Sequence, residues 1–211
     1  MVKEVRTPTQ KRSIDKTKKI LNTAKALFSK KNYFNVTTNE IAKEAGVSIG
    51  TLYSYFSDKE AILVALLNDY NASFITIFDD INTQDFLELF KSEPRRCLEL
   101  LINKLLKNEN EEFHNQIEML AFTIPQVKSV LENHNHKVKE LTYHCFLHYI
   151  DVEESAELKA LSTIIFNIIS STVDEIIYSN HSNKEKELLK AKSIDCIMLI
   201  INNAIELSKL K

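Results

Sequence analysis

Glycine is nearly missing from this 211-residue chain: Gly46 and Gly50, in one short segment, are the only two. Backbone approaches a phosphate closely only where no Cβ intervenes. A dinucleotide fingerprint with three glycines, and a P-loop with two glycines followed by Lys and Ser/Thr, are therefore both excluded. Proline is scarce as well. Pro8, Pro94 and Pro125 lie far apart, which leaves long stretches free to be helical. The three cysteines, Cys97, Cys145 and Cys196, are odd in number and form no CxxC pair, so no disulfide framework is expected and a reducing cytoplasm suits them. The opening MVKEVRTPTQKR lacks the apolar stretch of a signal peptide. The longest unbroken apolar run elsewhere is far short of the roughly 18 residues that span a bilayer. A soluble cytoplasmic protein with no membrane partner is the expectation. HExxH, GxSxG and any nucleophile beside a base are missing too, so neither catalysis nor a cofactor is expected.

Apolar residues make up 44% of the chain and charged residues 27%, enough greasy surface for a packed core. The formal net charge is only −2, but residues 1–59 carry 12 Lys/Arg against 5 Asp/Glu, and the remainder 15 against 24. A basic end that meets a polyanion and an acidic body that does not is one reading of this asymmetry. Chance clustering on a solvated helix is the other.

Residues 1–12 are polar, basic and aperiodic, and read as a flexible arm. Lys3, Arg6, Lys11 and Arg12 could reach a neighbouring groove of a nucleic acid or form a solvated tail. From Ser13, a plausible cap, Ile14, Ile20, Leu21, Ala24, Leu27 and Phe28 share a helical face to about Lys31. Thr37-Thr38-Asn39-Glu40 reads as a capping box, in which the threonine oxygen takes an orphan N–H and the Glu reaches back. The short helix that follows stops at Gly46, a residue that tolerates the left-handed conformation after a helix end. Ser48 caps a second short helix from Ile49 to Phe56, and Ser57-Asp58-Lys59-Glu60 starts another. Ala42 leaves room for two helices to cross, Gly46 makes the turn, and Val47 and Leu52 seal the underside. That is the helix-turn-helix arrangement.

These residues also carry a family likeness. TTNEIAKEAGVSIGTLYSYFSDKEAIL resembles the helix-turn-helix signature of the TetR/AcrR transcriptional repressors, over about Ser13 to Leu63 and most specifically in AGVSIGTLYSYFSDKE. The resemblance implies an all-α fold of about nine helices, with a three-helix DNA-binding module at residues 13–58 and a ligand-binding and dimerisation body at 59–211. It also implies DNA contacts at Thr38 and Asn39, at Ser48, Ile49, Gly50, Thr51, Tyr53 and Tyr55 on the recognition helix, and at Lys59 as a phosphate holder. The chemistry fits, because hydroxyls and a lysine suit phosphate oxygens and Gly50 lets backbone come close. No Arg or Gln occupies the recognition helix, so the bidentate readers of guanine and adenine are absent there. Ile49 and Thr51 could instead meet thymine methyls, and Asn39 could read an edge. For Tyr53 and Tyr55 a half-buried supporting role stands as the alternative.

Further helices are expected from Ala61 for about five turns, and over Thr83 to Lys91, Glu93 to Lys107, Asn110 to Thr123 and Pro125 to Ile150. The last two, Glu153 to Ser179 and Lys184 to Lys209, are the longest and most apolar. Ile164, Ile169, Val173, Ile177 and Ile197 widen their stripes beyond what one neighbour covers. By the resemblance these helices (153–179 and 184–209) form a four-helix homodimer interface, and a two-fold dimer implies a near-palindromic double-stranded operator. Pockets in bundles lie between helices and are lined by aromatic residues. Phe113, Met119, Phe122, Tyr143, Phe146, Phe166 and Asn167 are nominated for a small-molecule effector, each with plain core as its alternative. His144 and His148, four apart beside Cys145, have a metal-compatible spacing, but no further ligands are identifiable, so no metal is expected. The function expected is that of a repressor released from its operator by a small molecule. The alternative is control of the same scaffold by a protein partner.

Overall fold

The computed structural model describes residues 11–108, 113, 117 and 119–209. Among the described residues no strand occurs. The helices are α1 (Lys11–Lys31), a 3-10 turn at Tyr33–Asn35, α2 (Thr38–Glu44), α3 (Ile49–Tyr55), α4 (Lys59–Ile81), α5 (Gln84–Ser92), α6 (Pro94–Asn108), α7 (Pro125–Ile150), α8 (Ala156–Tyr178) and α9 (Asn183–Lys209). Phe113, Ile117 and residues 119–121 are helical as well, so the helix expected at 110–123 is present at those positions and gives way to a turn at Phe122 and Thr123. Lys3, Arg6 and His114 lie outside the described residues. Lys11 and Arg12 belong to α1 and not to an arm.

Local chemistry sets the boundaries. Thr83 Oγ1 accepts from the Phe86 N–H at 3.3 Å and opens α5, and Pro94 opens α6, where its missing N–H has no helical partner to lose. Helix α7 ends at Asp151, whose φ of 54° turns the chain out of the helix. The helix expected from Glu153 begins three residues later, because Ser155 is its cap and accepts from the Leu158 N–H at 3.1 Å. Tyr143 Oη fixes that cap from the side, accepting from the Ser155 N–H at 3.1 Å and donating to the Ser155 carbonyl at 3.2 Å.

The chain forms two compact units. The first comprises the described residues of Met1–Asn71 and Asn110–Glu132, and the second Ala72–Glu109 and Asn133–Lys211. This division differs from a boundary at residue 58/59. The first unit buries Ile20, Ala24 and Phe28 of α1 with Ile41, Ala42, Ala45, Leu52 and Phe56, and adds Ile62, Leu63 and Leu67 of α4 with Phe113, Ile117, Leu120 and Val127. The N-terminal module thus shares one core with the start of α4 and with chain from beyond residue 110.

In the second unit, Leu98 and Ile102 of α6, Tyr143 and Phe146 of α7, Leu158, Ile165 and Val173 of α8, and Ile194, Ile197, Ile201 and Ala204 of α9 make a separate core. A hydrogen bond of 2.7 Å from Thr172 Oγ1 to Ser193 Oγ joins α8 to α9. Lys190, only 7% exposed, donates to Asn103 Oδ1 at 3.1 Å and pairs with Glu187 at 2.9 Å. Tyr149 donates to the Ile81 carbonyl at the end of α4 and packs beside Phe86 and Phe90. Val173 and Ile197, expected as surplus apolar surface, are consumed inside this core. Helices α4 and α8 are long and apolar enough to cross a membrane by length and composition, although polar residues interrupt their apolar runs. Ile62, Leu63, Leu66 and Leu67 of α4 and Leu158, Ile165 and Val173 of α8 belong to the two cores.

Candidate nucleic-acid interface

The turn between α2 and α3 is fixed by backbone hydrogen bonds. The Gly46 N–H donates to the Lys43 carbonyl and the Val47 N–H to the Ala42 carbonyl, both at 3.0 Å, while Gly46 sits at φ 62°. This pair of bonds satisfies carbonyls that the helix end leaves open. Val47 is partly buried against the core, Leu52 is fully buried, and Ala42 is 3% exposed at the crossing. Thr37 caps α2, accepting from the Glu40 N–H at 3.2 Å. The capping box is only half made, since the Glu40 carboxylate is drawn away to Lys31 at the end of α1. That pairing holds the Glu40 carboxyl below its usual range and raises Lys31.

Ser48 caps α3 and accepts from the Thr51 N–H at 3.1 Å, and its hydroxyl shares a second hydrogen bond with Thr51 Oγ1 at 2.8 Å. Thr38 and Tyr53, expected as two separate DNA contacts, are brought together, their hydroxyls 2.9 Å apart. Tyr53 is 43% exposed. Tyr55 is half-buried, and its hydroxyl accepts from Ser13 Oγ at 3.0 Å. Ser13 is therefore not the cap of α1, which begins at Lys11; it holds the recognition helix from 42 positions away. No local sequence pattern signals such a contact. Asn39, Ser48, Ile49 and Gly50 are exposed, and Thr51 is partly so.

Lys59 is placed differently from a free phosphate holder. Its Nζ donates to the Tyr33 and Val36 carbonyls, each at 2.9 Å, and lies 4.2 Å from the centroid of the Tyr33 ring. Burial lowers its pKa, and burial with Glu60 and Asp58 nearby pushes the Tyr33 phenol up to about 12. An ammonium has three donors, so one N–H remains. Asp58, through Oδ1, caps α4 by accepting from the Ala61 N–H at 2.7 Å.

The two glycines do different jobs. At Gly46 a side chain would meet Lys19 Nζ at 3.3 Å in a left-handed conformation, whereas at Gly50 a Cβ would find nothing nearer than Ser48 Oγ at 3.9 Å. Gly46→Ala should lower the unfolding free energy by about 1–2 kcal/mol, read by urea denaturation. Gly50→Ala, in ordinary helical backbone, should raise it by about 0.5–1 kcal/mol. If Gly50→Ala destabilises the fold, that glycine is kept for packing and not for an external surface.

Several of the residues expected to line an effector pocket are buried within a core. Phe113 is 1% exposed and belongs to the core of the first unit, whereas Tyr143 and Phe146 belong to the core of the second. Met119 is 47% exposed and Phe122 92% exposed, so neither lines an enclosed cavity; Phe122 falls in the turn that ends its helix. Asn167 is exposed on α8, and Phe166 lies partly covered beneath Lys139, whose Nζ is 5.3 Å from the ring centroid. Periodicity places such residues on a helix but does not say which side the core takes. Asn71 on α4, which the pattern did not single out, is 7% exposed and has no hydrogen-bond partner among the described residues. No group of three or more His, Cys, Asp or Glu side chains among the described residues could hold a metal ion. His144 and His148 are exposed, and burial pushes the Cys145 thiol up to about 11.

Residues 20–66 match the family described as bacterial regulatory proteins, tetR family, and residues 75–203 match the tetracyclin repressor-like C-terminal domain. The uncharacterized HTH-type transcriptional regulator YuxN of Bacillus subtilis is 34% identical over 96 residues, covering 46% of this chain and 32% of that protein. The fatty acid metabolism regulator protein of Bacillus subtilis is 24% identical over 190 residues, or 87% of this chain and 92% of that one. Alignments with YuxN and two other curated regulators span 32%, 60% and 44% of their lengths. Among solved structures, Salmonella enterica GusR has a TM-score of 0.69 at 16% identity, covering 90% of this chain and 96% of its own. A transcriptional regulator of the TerR/AcrR family from Aquifex aeolicus has a TM-score of 0.64 at 18% identity, covering 88% and 99%. At these identities the likeness to solved structures is one of fold.

Proposed function

Because this chain belongs to the TetR family of bacterial regulatory proteins, we propose that it is a sequence-specific DNA-binding transcriptional regulator, a repressor released from its operator by a small-molecule effector. The observation that carries this is the pair of crossed helices α2 and α3, locked by the Gly46 turn, with Asn39, Ser48, Ile49, Gly50 and Tyr53 left exposed. The Ser48 and Tyr53 hydroxyls suit phosphate oxygens. Lys59 offers its third N–H to the same backbone, and the basic balance of residues 1–59 draws the module to a polyanion. The protein works without catalysis or a cofactor, in the cytoplasm. The three-helix module and the ligand-binding body divide function at about residue 58, although packing carries the first unit further.

Two copies act together through α8 and α9. Ile164 on α8, and Leu188 and Leu199 on α9, are 47%, 58% and 70% exposed, and a second copy covering them would remove apolar surface worth about 25 cal/mol per Å². A two-fold pair faces a near-palindromic operator with half-sites about one helical turn apart, or a multiple of it. Mobility shifts and footprinting on the DNA upstream of its own gene test this. A protected dyad, lost on adding a metabolite fraction of cell extract, is the expected result, and protection without any dyad would contradict it.

Effector release requires a ligand that distinguishes two states of the protein, with α4, which contributes residues to both units, as the lever. The buried amide of Asn71 supports a polar group on that effector, since an unsatisfied buried amide costs about 1–3 kcal/mol. Asn71→Leu should therefore raise the unfolding free energy by about that amount while blunting the response to effector. A loss of stability on that substitution would show the amide to be satisfied already.

Control by a protein partner is the second reading, favoured by the exposed Met119 and Phe122, two large apolar side chains three positions apart in water. Phe122→Ser would abolish regulation on that reading and leave it untouched on the first.

A further inference from the structure

The polar groups of the recognition helix are already occupied. Ser48 and Thr51 hydroxyls bond each other at 2.8 Å, and Ser54 Oγ donates to the Thr51 carbonyl at 2.7 Å. Tyr53 shares its hydrogen bond with Thr38, and Tyr55 accepts from Ser13. Each hydroxyl pair leaves a single donor over, enough for a phosphate oxygen, which only accepts. None can make the two-point contact by which side chains tell guanine or adenine from the rest. The α3 sequence IGTLYSY holds no Arg, Lys, Asn, Gln, Asp or Glu that could do so in their place. Asn39 is the exposed amide nearby, and it lies on α2.

Beyond these hydroxyls, what α3 offers outward is apolar. Ile49 is 37% exposed, a large aliphatic side chain in water beside the exposed Gly50. Thr51 is partly exposed, and its hydroxyl is drawn to Ser48, so its methyl is the branch without a polar partner. Between them, a Cβ at Gly50 would meet nothing nearer than Ser48 Oγ at 3.9 Å, so a flat partner can approach both neighbours closely. In the major groove the one apolar feature among the base edges is the 5-methyl of thymine.

We infer that this recognition helix selects its site by burying thymine 5-methyl groups against Ile49 and Thr51. Each half-site therefore carries thymines facing these two residues. The inference rests on the DNA-binding reading above. Apolar contact of this kind has a preferred base but little orientation, and it adds to an affinity that phosphate contacts supply. Sites differing elsewhere in the half-site are accordingly tolerated, and loss of either methyl is felt.

The test uses the full-length protein and a duplex enriched from a randomised library by repeated binding. That duplex is then remade with deoxyuridine for thymine, one position at a time, which removes the methyl and keeps the donor and acceptor pattern. Each contacted methyl should cost about fourfold in affinity, and two in one half-site about sixteenfold. Uracil outside the half-sites should cost nothing. Ile49→Ala, at an exposed position, should fold normally and lose the preference for thymine over uracil at its own position only. Unchanged affinity on uracil substitution, or an enriched half-site dominated by guanine, would overturn the inference and leave the regulator reading standing. Failure of any duplex to be enriched would overturn that reading, and the inference with it.

Discussion

Truncating Leu52 to alanine should cost about 2–5 kcal/mol of stability and abolish operator binding without removing a single DNA contact. Leu52 is 0% exposed, in one core with Ile41, Ala42 and Phe56. Helix α3 is seven residues long, well below the length at which a helix persists alone in water, so its existence and its aim both depend on that burial. The turn and the caps act on its ends and cannot replace the missing volume. Urea unfolding followed by circular dichroism gives the first number, and a mobility shift below the unfolding midpoint gives the second. Ile49→Ala is the control, because a partly exposed residue on the same helix should change stability by no more than about 0.5 kcal/mol. Should Leu52→Ala leave operator affinity within a few fold of wild type, α3 is not the element that enters the groove.

Raising monovalent salt from 50 to 200 mM should weaken operator binding by about a thousandfold if a dimer neutralises about six phosphates, a log–log slope of about −0.9 for each. The cations come from the 12 Lys/Arg of residues 1–59, which outnumber acids there by seven. Lysine and arginine release counterions from the DNA when they bind; the hydroxyls of Ser48, Thr38 and Tyr53 do not. Affinity and salt dependence are therefore separable in this interface. Uracil in a half-site should displace the titration without changing its slope. Lys59→Gln should flatten it by about 0.9 per copy only if the third N–H of that lysine reaches a phosphate. An unchanged slope would assign Lys59 wholly to the Tyr33 and Val36 carbonyls. A flat titration of the unaltered protein would remove the electrostatic basis of the DNA reading altogether.

Much of the fold was legible because its signals are local. Thr37 and Ser48 cap the helices that their positions suggest, Gly46 turns as a left-handed residue must, and α7 runs from Pro125 to Ile150 as its pattern implies. Long-range choices were not legible. Glu40 has the spacing for a capping box, but Lys31 competes for its carboxylate from the end of another helix. Ser13 looks like a cap and acts as a brace for Tyr55. Met119, Phe122 and Asn167, expected beside a pocket, are exposed. Apolar period gives the width of a stripe, and only the packed neighbours give its direction. Val173 and Ile197 illustrate the same gap from the other side, buried within their own chain where a partner had been expected to cover them.

Residues 110–132 complete the interior that α1, α2 and α3 begin, through Phe113, Ile117, Leu120 and Val127. A fragment cut after Asn71 would leave Leu63, Leu66, Leu67 and Phe28 without those partners, and would be a sticky, poorly soluble peptide and not a minimal reader. Chimeras that graft this reading head onto a foreign sensor should splice at two places, keeping 110–132 with the head. Limited proteolysis of the intact chain should likewise release no stable N-terminal piece, however readily a single bond is nicked.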